Sequence, residues 1–312
     1  MKILLTIDGS DFAAGAARVL AEIPFVEPAD VTVLTVTYDP ETFSSGRVQP
    51  WFPDWKQHEL KRVGELQQNF REEYAGRFNS LQFKHRTGSV AHEILDEAKE
   101  LNADLIVLGA QGHTFLGRLF LGSVSDKVAS HADCSVLVVR PPSEESGPFH
   151  RPRRLLLGYD GSGASDQAIR ELAFVRWDAD TELSVVTVAP YYDYLLGDGM
   201  SAAVLENEQE VFEELSASAE KAAQRLSGTV AGAHATTIRG HHVGDALINQ
   251  AETNSSDLIV LGDTGHNLLE EWLIGSTTKY VLRHATCSIW ISRHHRQATD
   301  PDRSDSQAWA TT

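Results

Sequence analysis

The sequence predicts an α/β protein built as two tandem doubly wound domains, each with a parallel sheet and helices on both faces. Three observations predict it. Short β-rich runs such as Lys2–Ile7, Val31–Thr37 and Ser135–Val139 alternate along the chain with segments of helical spacing, the pattern of parallel sheets covered on both sides. Several of the runs are continuously apolar, as strands buried on both faces require. Finally, the stretch D-L-I-V-L-G at Asp104–Gly109 returns at Asp257–Gly262. Between 103–140 and 256–293, 17 of 38 aligned positions are identical, so the chain carries an internal repeat of domain size. A length of 312 residues suits two such domains.

The first half is expected over 1–140. Lys2–Ile7 is its first strand and Asp8-Gly9-Ser10 ends it, with Ser10 a good N-cap for an Ala-rich helix through Ala13–Leu20. Val31–Thr37 is the second strand. A Pro- and aromatic-rich insertion, Tyr38 to Pro53, follows; it reads either as an ordered surface loop or as a lid over a ligand. A helix over Asp54–Arg77, a strand over Leu81–Arg86, a helix over Val90–Leu101 and a strand over Asp104–Leu108 come next. A helix starting near Ser123 and a strand over Ser135–Val139 complete the unit.

Residues 141–152 read as a linker. The second half, 153–293, repeats the plan. Its strands are expected at Arg154–Tyr159, Thr181–Val188, Ala233–Arg239, Asp257–Leu261 and Ser288–Ser292, and its later helices at Glu206–Leu226, Val243–Glu252 and Ser276–His284. The polar tail 294–312 is expected to be disordered.

The repeated stretch also carries the first functional signal. A buried strand ends in Gly109 and Gly112, and nine residues later Gly122-Ser123 opens a helix; Gly262, Gly265 and Gly275-Ser276 repeat the spacing. Glycine allows close backbone approach and positive φ. The first amides of a helix lack internal acceptors and carry the positive end of its dipole. Together these make a seat for phosphate. Asp8 and Gly109 both follow carboxyl ends of strands, so they share one crevice only if the first and fourth strands are neighbours.

A formal net charge of −17 argues against nucleic acid and acidic membrane surfaces as partners. Any phosphate site in so acidic a chain must be made locally, from backbone amides and helix ends. No run reaches the roughly eighteen apolar residues of a membrane span, and Asp8 interrupts the short N-terminal run, so no signal peptide is read and a cytoplasmic location is expected. Cys134 and Cys287, the two cysteines, occupy equivalent repeat positions and read as small buried residues rather than a disulfide framework.

On these residues each half resembles a universal stress protein domain. The ATP-binding members of that family carry G-x2-G-x9-G-[ST], matched here by Gly109, Gly112, Gly122, Ser123 and by Gly262, Gly265, Gly275, Ser276; Ile7-Asp8-Gly9-Ser10 and Tyr159-Asp160-Gly161-Ser162 match its early motif. The resemblance covers nearly all of 1–140 and 153–293, but not the insertion, linker or tail. It implies a five-stranded parallel sheet in the order 3-2-1-4-5 in each half. It also implies pairing of the two domains through their fifth strands, an intramolecular pseudo-dimer; a further homodimer and a protein partner stay open. The cofactor it implies is ATP with Mg2+. By motif, Asp8 and Asp160 would accept ribose hydroxyls, and the backbone at Val36 and Val188 would meet the adenine edge. Gly109, Gly112, Gly262 and Gly265 would line the phosphates. Gly122-Ser123-Val124-Ser125 and Gly275-Ser276-Thr277-Thr278 would offer amides and hydroxyls to the outer phosphates.

The plain readings stand beside these: a tight turn for each glycine, capping of the adjacent helix for Asp8 or Asp160. His113 and His266 either touch phosphate or cover the loop, and His241-His242 and His294-His295 lack partners at metal-ligand spacing, so no metal site is expected of them. Gly117-Arg118 in the first copy aligns with Glu270-Glu271 in the second, which predicts tighter ATP binding by the first half. Catalysis finds little support. There is no Gly-x-Ser-x-Gly elbow and no G-x4-G-K-[ST] lysine motif, so fast phosphoryl transfer is not expected. A nucleotide-dependent regulatory or stress-response protein is the favoured reading. A weak ATPase or phosphoryl-transfer enzyme, and a partner-binding module with vestigial sites, are the alternatives.

Overall fold

The computed structural model describes residues 1–38, 52–111, 121–142, 149–190, 202–263 and 274–293. The first half contains β1 (Lys2–Thr6), α1 (Asp11–Glu22), β2 (Asp30–Thr37), α2 (Phe52–Glu73), β3 (Ser80–Thr87), α3 (Val90–Leu101), β4 (Leu105–Gly109), α4 (Ser123–His131) and β5 (Ser135–Val139). The second contains β6 (Arg154–Gly158), α5 (Gly163–Leu172), β7 (Glu182–Pro190), α6 (Ala202–Leu226), β8 (Gly232–Gly240), α7 (Val243–Thr253), β9 (Leu258–Gly262), α8 (Ser276–His284) and β10 (Ser288–Ser292). The boundaries lie close to those expected, with three differences of note. α2 starts at Phe52, so Pro53 sits in its first turn, where a proline's missing N–H costs nothing. It stops at Glu73 rather than Arg77, because Gly76 takes a positive φ of 72° and turns the chain. α6 starts at Ala202, four residues ahead of the expected Glu206.

The strands form one ten-stranded sheet in the order β3-β2-β1-β4-β5-β10-β9-β6-β7-β8. Within each half every pairing is parallel and the order is 3-2-1-4-5. The halves join antiparallel through β5 and β10, with Trp290 opposite Leu137. Both faces are covered. Ile3, Leu5, Val31, Val33, Leu105 and Val107 lie in one core cluster, and Leu4, Leu34, Ile106, Leu108, Val136 and Val138 in the other. That period-two division is what a continuously apolar strand produces when both sides of it are dry.

The seam between the halves is reciprocal. Arg140 follows β5 and Arg293 follows β10. The Arg140 amide donates to Ser288 Oγ at 3.1 Å, and the Arg293 amide donates to Ser135 Oγ at 2.9 Å. Each guanidinium then reaches the last turn of the opposite half's helix. Arg140 Nη2 donates to the Leu282 carbonyl at 2.8 Å and Arg293 Nη2 to the Ala129 carbonyl at 2.7 Å, where a cation complements the helix dipole. Arg283 adds a two-pronged contact to Asp126, both bonds at 3.0 Å. On the other sheet face the Val26 amide donates to the Phe174 carbonyl and the Arg176 amide to the Pro24 carbonyl, each at 2.8 Å.

Cys134 is buried, and burial pushes both thiols up to about 12. The thiolate is the reactive form. At pH 8 Cys134 of the native protein should therefore resist a thiol reagent, and denaturation should bring the total released to two equivalents. Rapid titration of Cys134 in the native state would contradict this packing.

Among the described residues no helix is long and apolar enough to cross a membrane.

Candidate nucleotide site

β1 and β4 are neighbours, with Ile3, Leu4 and Leu5 in register with Leu105, Ile106 and Val107. β6 and β9 pair in the same way. Chain direction diverges here, with β2 and β3 to one side and β5 to the other, so each half has its topological switch point at this pair. The condition for one shared crevice is met in both halves.

The turn that leaves β1 is built from Asp8-Gly9-Ser10. One Asp8 carboxylate oxygen accepts the Ser10 amide at 2.9 Å, Gly9 takes φ 90°, and Ser10 Oγ caps α1 by accepting the Ala13 amide at 3.2 Å. The second copy repeats it: Asp160 accepts the Ser162 amide at 3.0 Å, Gly161 takes φ 76°, and Ser162 Oγ accepts the Ser165 amide at 3.2 Å. Serine is thus the cap, and the aspartate shapes the turn with one oxygen. In the first half Arg62 of α2 also donates to the Asp8 carbonyl at 3.0 Å.

β2 overruns β1. The ladder ends at Thr6 opposite Leu34, while β2 continues to Thr37. The Ile7 amide donates to the Leu34 carbonyl, so Leu34 faces β1; the Gly88 amide donates to the Thr37 carbonyl, so Thr37 faces away from β1. Backbone groups alternate sides along a strand. Val36 therefore turns its N–H and C=O toward the side that β1 has vacated. In the second half the Tyr159 amide donates to the Val186 carbonyl, and Val188 takes the same position on the overrun of β7.

α4 and α8 begin at the crevice without a side-chain cap. Gly122 and Gly275 are their N-cap residues, extended at φ −69° and −60°. The first amides to bond within each helix are those of Asp126, to the Gly122 carbonyl, and Lys279, to the Gly275 carbonyl, each at 2.9 Å. The amides of Ser123, Val124 and Ser125, and of Ser276, Thr277 and Thr278, precede those bonds and have no intrahelical acceptor. Ser123 and Ser276 are exposed. Ser125 Oγ donates to the Gly109 carbonyl at 2.9 Å and Thr278 Oγ1 to the Gly262 carbonyl at 2.8 Å, so these two hydroxyls clasp the helix to the strand end. The Gly122 amide donates to the Ala110 carbonyl at 2.8 Å and the Gly275 amide to the Asp263 carbonyl at 2.6 Å. A Cβ on Gly122 would stand 3.2 Å from the Ala110 carbonyl oxygen, close enough to force a shift.

The sequence and the fold both have known relatives. The family model described as the universal stress protein family matches residues 1–140 and 152–293. The chain belongs to the universal stress protein family. Universal stress protein YxiE of Bacillus subtilis is 34% identical over 145 residues, 45% of this chain and 98% of that protein. A universal stress protein of Thermus aquaticus is 37% identical over 143 residues, 44% of this chain and 97% of its own length. For the whole chain, the crystal structure of a universal stress protein from Archaeoglobus fulgidus shares the fold at a TM-score of 0.60 and 18% identity, covering 95% of this chain and 97% of that one.

Within this universal stress protein, Asp8, Val36 and Gly122–Ser125 converge on the ends of β1, β2 and β4, and Asp160, Val188 and Gly275–Thr278 on those of β6, β7 and β9. Gly109 and Gly262 lie at the strand ends, but their open side faces protein. A Cβ on Gly109 would come within 2.7 Å of the Phe12 backbone carbon, and one on Gly262 within 2.6 Å of that of Ala164. These glycines let α1 and α5 lie directly on β4 and β9. Gly112, Gly265, His113, His266, Arg118, Glu270 and Glu271 lie outside the described residues, as do nearly all of the 38–53 insertion and the 294–312 tail. Sequence reasoning assigned no role to Arg140 and Arg293. The available signal was their identity at the last position of the repeat.

Proposed function

We propose that each half seats an adenine nucleotide, with ATP as the ligand and Mg2+ carried on its phosphates, and that occupancy regulates the protein in a stress response without rapid turnover. The observation that carries this is the pair of uncapped helix starts at Gly122 and Gly275, each placed at a switch point. The fit is chemical. In a chain of net charge −17, bare amides supply positive potential without a basic side chain. The vacated strand edge at Val36 and Val188 offers the donor and acceptor pair that an adenine edge needs. Asp8 and Asp160 each place a carboxylate at the turn that leaves the first strand of its half, the chemistry a ribose hydroxyl donates to. When bound, Mg2+ would neutralise phosphate charge, and the exposed Ser123 and Ser276 hydroxyls would be available to hold it or the phosphates.

The direct test is to denature the purified protein and identify released nucleotide by chromatography. ATP is expected; a protein that releases no adenine nucleotide and does not bind it on titration contradicts the reading. A further expectation concerns Gly122→Val. A branched side chain at this N-cap crowds the Ala110 carbonyl and covers the amides, so ATP affinity in the first half should fall about tenfold or more, equivalent to at least ~1.4 kcal/mol. Equilibrium titration of the full chain reads this out, and unchanged ATP affinity would count against an amide-built seat.

A further inference from the structure

The buried arginines of the seam are matched in backbone geometry but not in charge balance. Arg293 is 6% exposed, and its Nε lies 3.7 Å from a carboxylate oxygen of Asp263, the first residue after β9. Arg140 is 2% exposed, and the position equivalent to Asp263 is Ala110. Among the described residues, Arg140 has one side-chain hydrogen bond, from Nη2 to the Leu282 carbonyl, and its buried Nε and Nη1 have no partner. A guanidinium stays charged under almost all conditions, and a buried charge with no counter-charge is costly enough to call for an anion.

The location says which anion. The Ala110 amide donates to the Val139 carbonyl at 2.8 Å, so Arg140 leaves the sheet directly beside the exit of β4. The Gly122 amide closes onto the same Ala110 at 2.8 Å, bringing the bare start of α4 into that layer. By the repeat, Ala110 holds the position from which Asp263 places a carboxylate 3.7 Å from the Nε of Arg293.

We infer that Arg140 is the electrostatic complement of a polyphosphate in the first seat, and that Asp263 takes the place of that anion in the second, making the first half the high-affinity triphosphate seat. The inference rests on the nucleotide reading of both seats and deepens it. In the first seat the ligand supplies the charge that Arg140 lacks. In the second the chain has already neutralised Arg293, and a triphosphate arriving there meets an added carboxylate at the strand exit. The discrimination acts on charge, so it is greatest for a triphosphate and least for a monophosphate.

Titration calorimetry of the full chain with MgATP and with AMP tests this in three proteins. The wild type should show one tight ATP class and a second at least tenfold weaker. Asp263→Ala should convert the weaker class to one comparable with the first. Ala110→Asp should abolish the tight class while changing AMP affinity less than threefold, and should raise the melting temperature by pairing Arg140. A purely structural effect would weaken AMP and ATP alike. Asp263→Ala leaves Arg293 without its carboxylate, the condition Arg140 already has in the native fold, so it decides the matter even where Ala110→Asp fails to fold. An unchanged ATP profile in Asp263→Ala, equal tight classes in the wild type, or parallel loss of AMP and ATP in Ala110→Asp overturns the inference alone. No nucleotide binding in any protein overturns the underlying reading as well.

Discussion

Gly109→Ala should unfold at a melting temperature lower by about 6–12 °C, with or without nucleotide present. The added methyl would stand 2.7 Å from the Phe12 backbone carbon and 2.8 Å from its carbonyl oxygen. Overpacking of a core typically costs about 1–3 kcal/mol. Here the obstacle is helix backbone, which cannot rotate aside as a side chain does, so the upper end applies, about 3 kcal/mol. At roughly 2–4 °C per kcal/mol for a protein of this class, the stated shift follows. Gly262→Ala should behave alike, since its methyl would stand 2.6 Å from the Ala164 backbone carbon. The two sites share no partner, so the losses should add. Thermal melts of the single and double variants are the measurement. Variants that melt as the wild type but lose ATP would make these glycines ligand-lining rather than packing residues.

The second large effect is expected at Glu171. This carboxylate is 2% exposed on α5 and sits against the seam. Trp290 Nε1 of β10 and Ser135 Oγ of β5 each donate to it at 2.7 Å, and Gln167 Nε2 donates at 3.3 Å. Glu171→Ala would strand a buried indole N–H and leave a cavity. An unsatisfied buried group costs about 1–3 kcal/mol, and with the lost packing the total should reach about 3–5 kcal/mol. The first half shows how the same place is filled without charge: Val19, the equivalent residue, is buried in the core. Glu171→Val combined with Trp290→Phe should therefore lose about 1–2 kcal/mol less than the sum of the single changes, because the donor leaves with its acceptor. Denaturant unfolding of the four proteins in the cycle reads the coupling. Strict additivity would show that the indole and carboxylate do not depend on each other.

Much of this architecture was legible in the sequence because its strands are buried on both faces. A run such as Leu105–Leu108 has no polar position at which to slip, so its limits are set within a residue or so. The duplication at Asp104 and Asp257 divided the chain, and the family resemblance supplied the strand order that periodicity alone does not fix. What escaped was set by contacts distant in sequence. Pro53 read as a loop residue, but proline is as compatible with a helix's first turn as with a loop. Gly109 fits a phosphate spacing, yet spacing does not tell which side of a glycine is crowded; the Phe12 backbone decides that. Arg140 stands at the edge of a polar, proline-containing linker, with nothing nearby in sequence to mark it as buried. Its burial comes from Leu282 and Ser288 of the other half, more than a hundred residues away. The asymmetry read from Arg118 against Glu270 and Glu271 falls outside the described residues, whereas Ala110 against Asp263 gives an independent ground for the same direction.

Backbone amide signals of the full chain, followed by NMR as MgATP is added, test the seats most directly. The largest shifts and the strongest gain in exchange protection should fall on Ser123–Ser125 and on Val36, with Ser276–Thr278 and Val188 responding at higher ATP concentration. Signals that stay fixed at both helix starts while ATP binds elsewhere, or that do not move at all, would contradict a nucleotide seat made from bare amides.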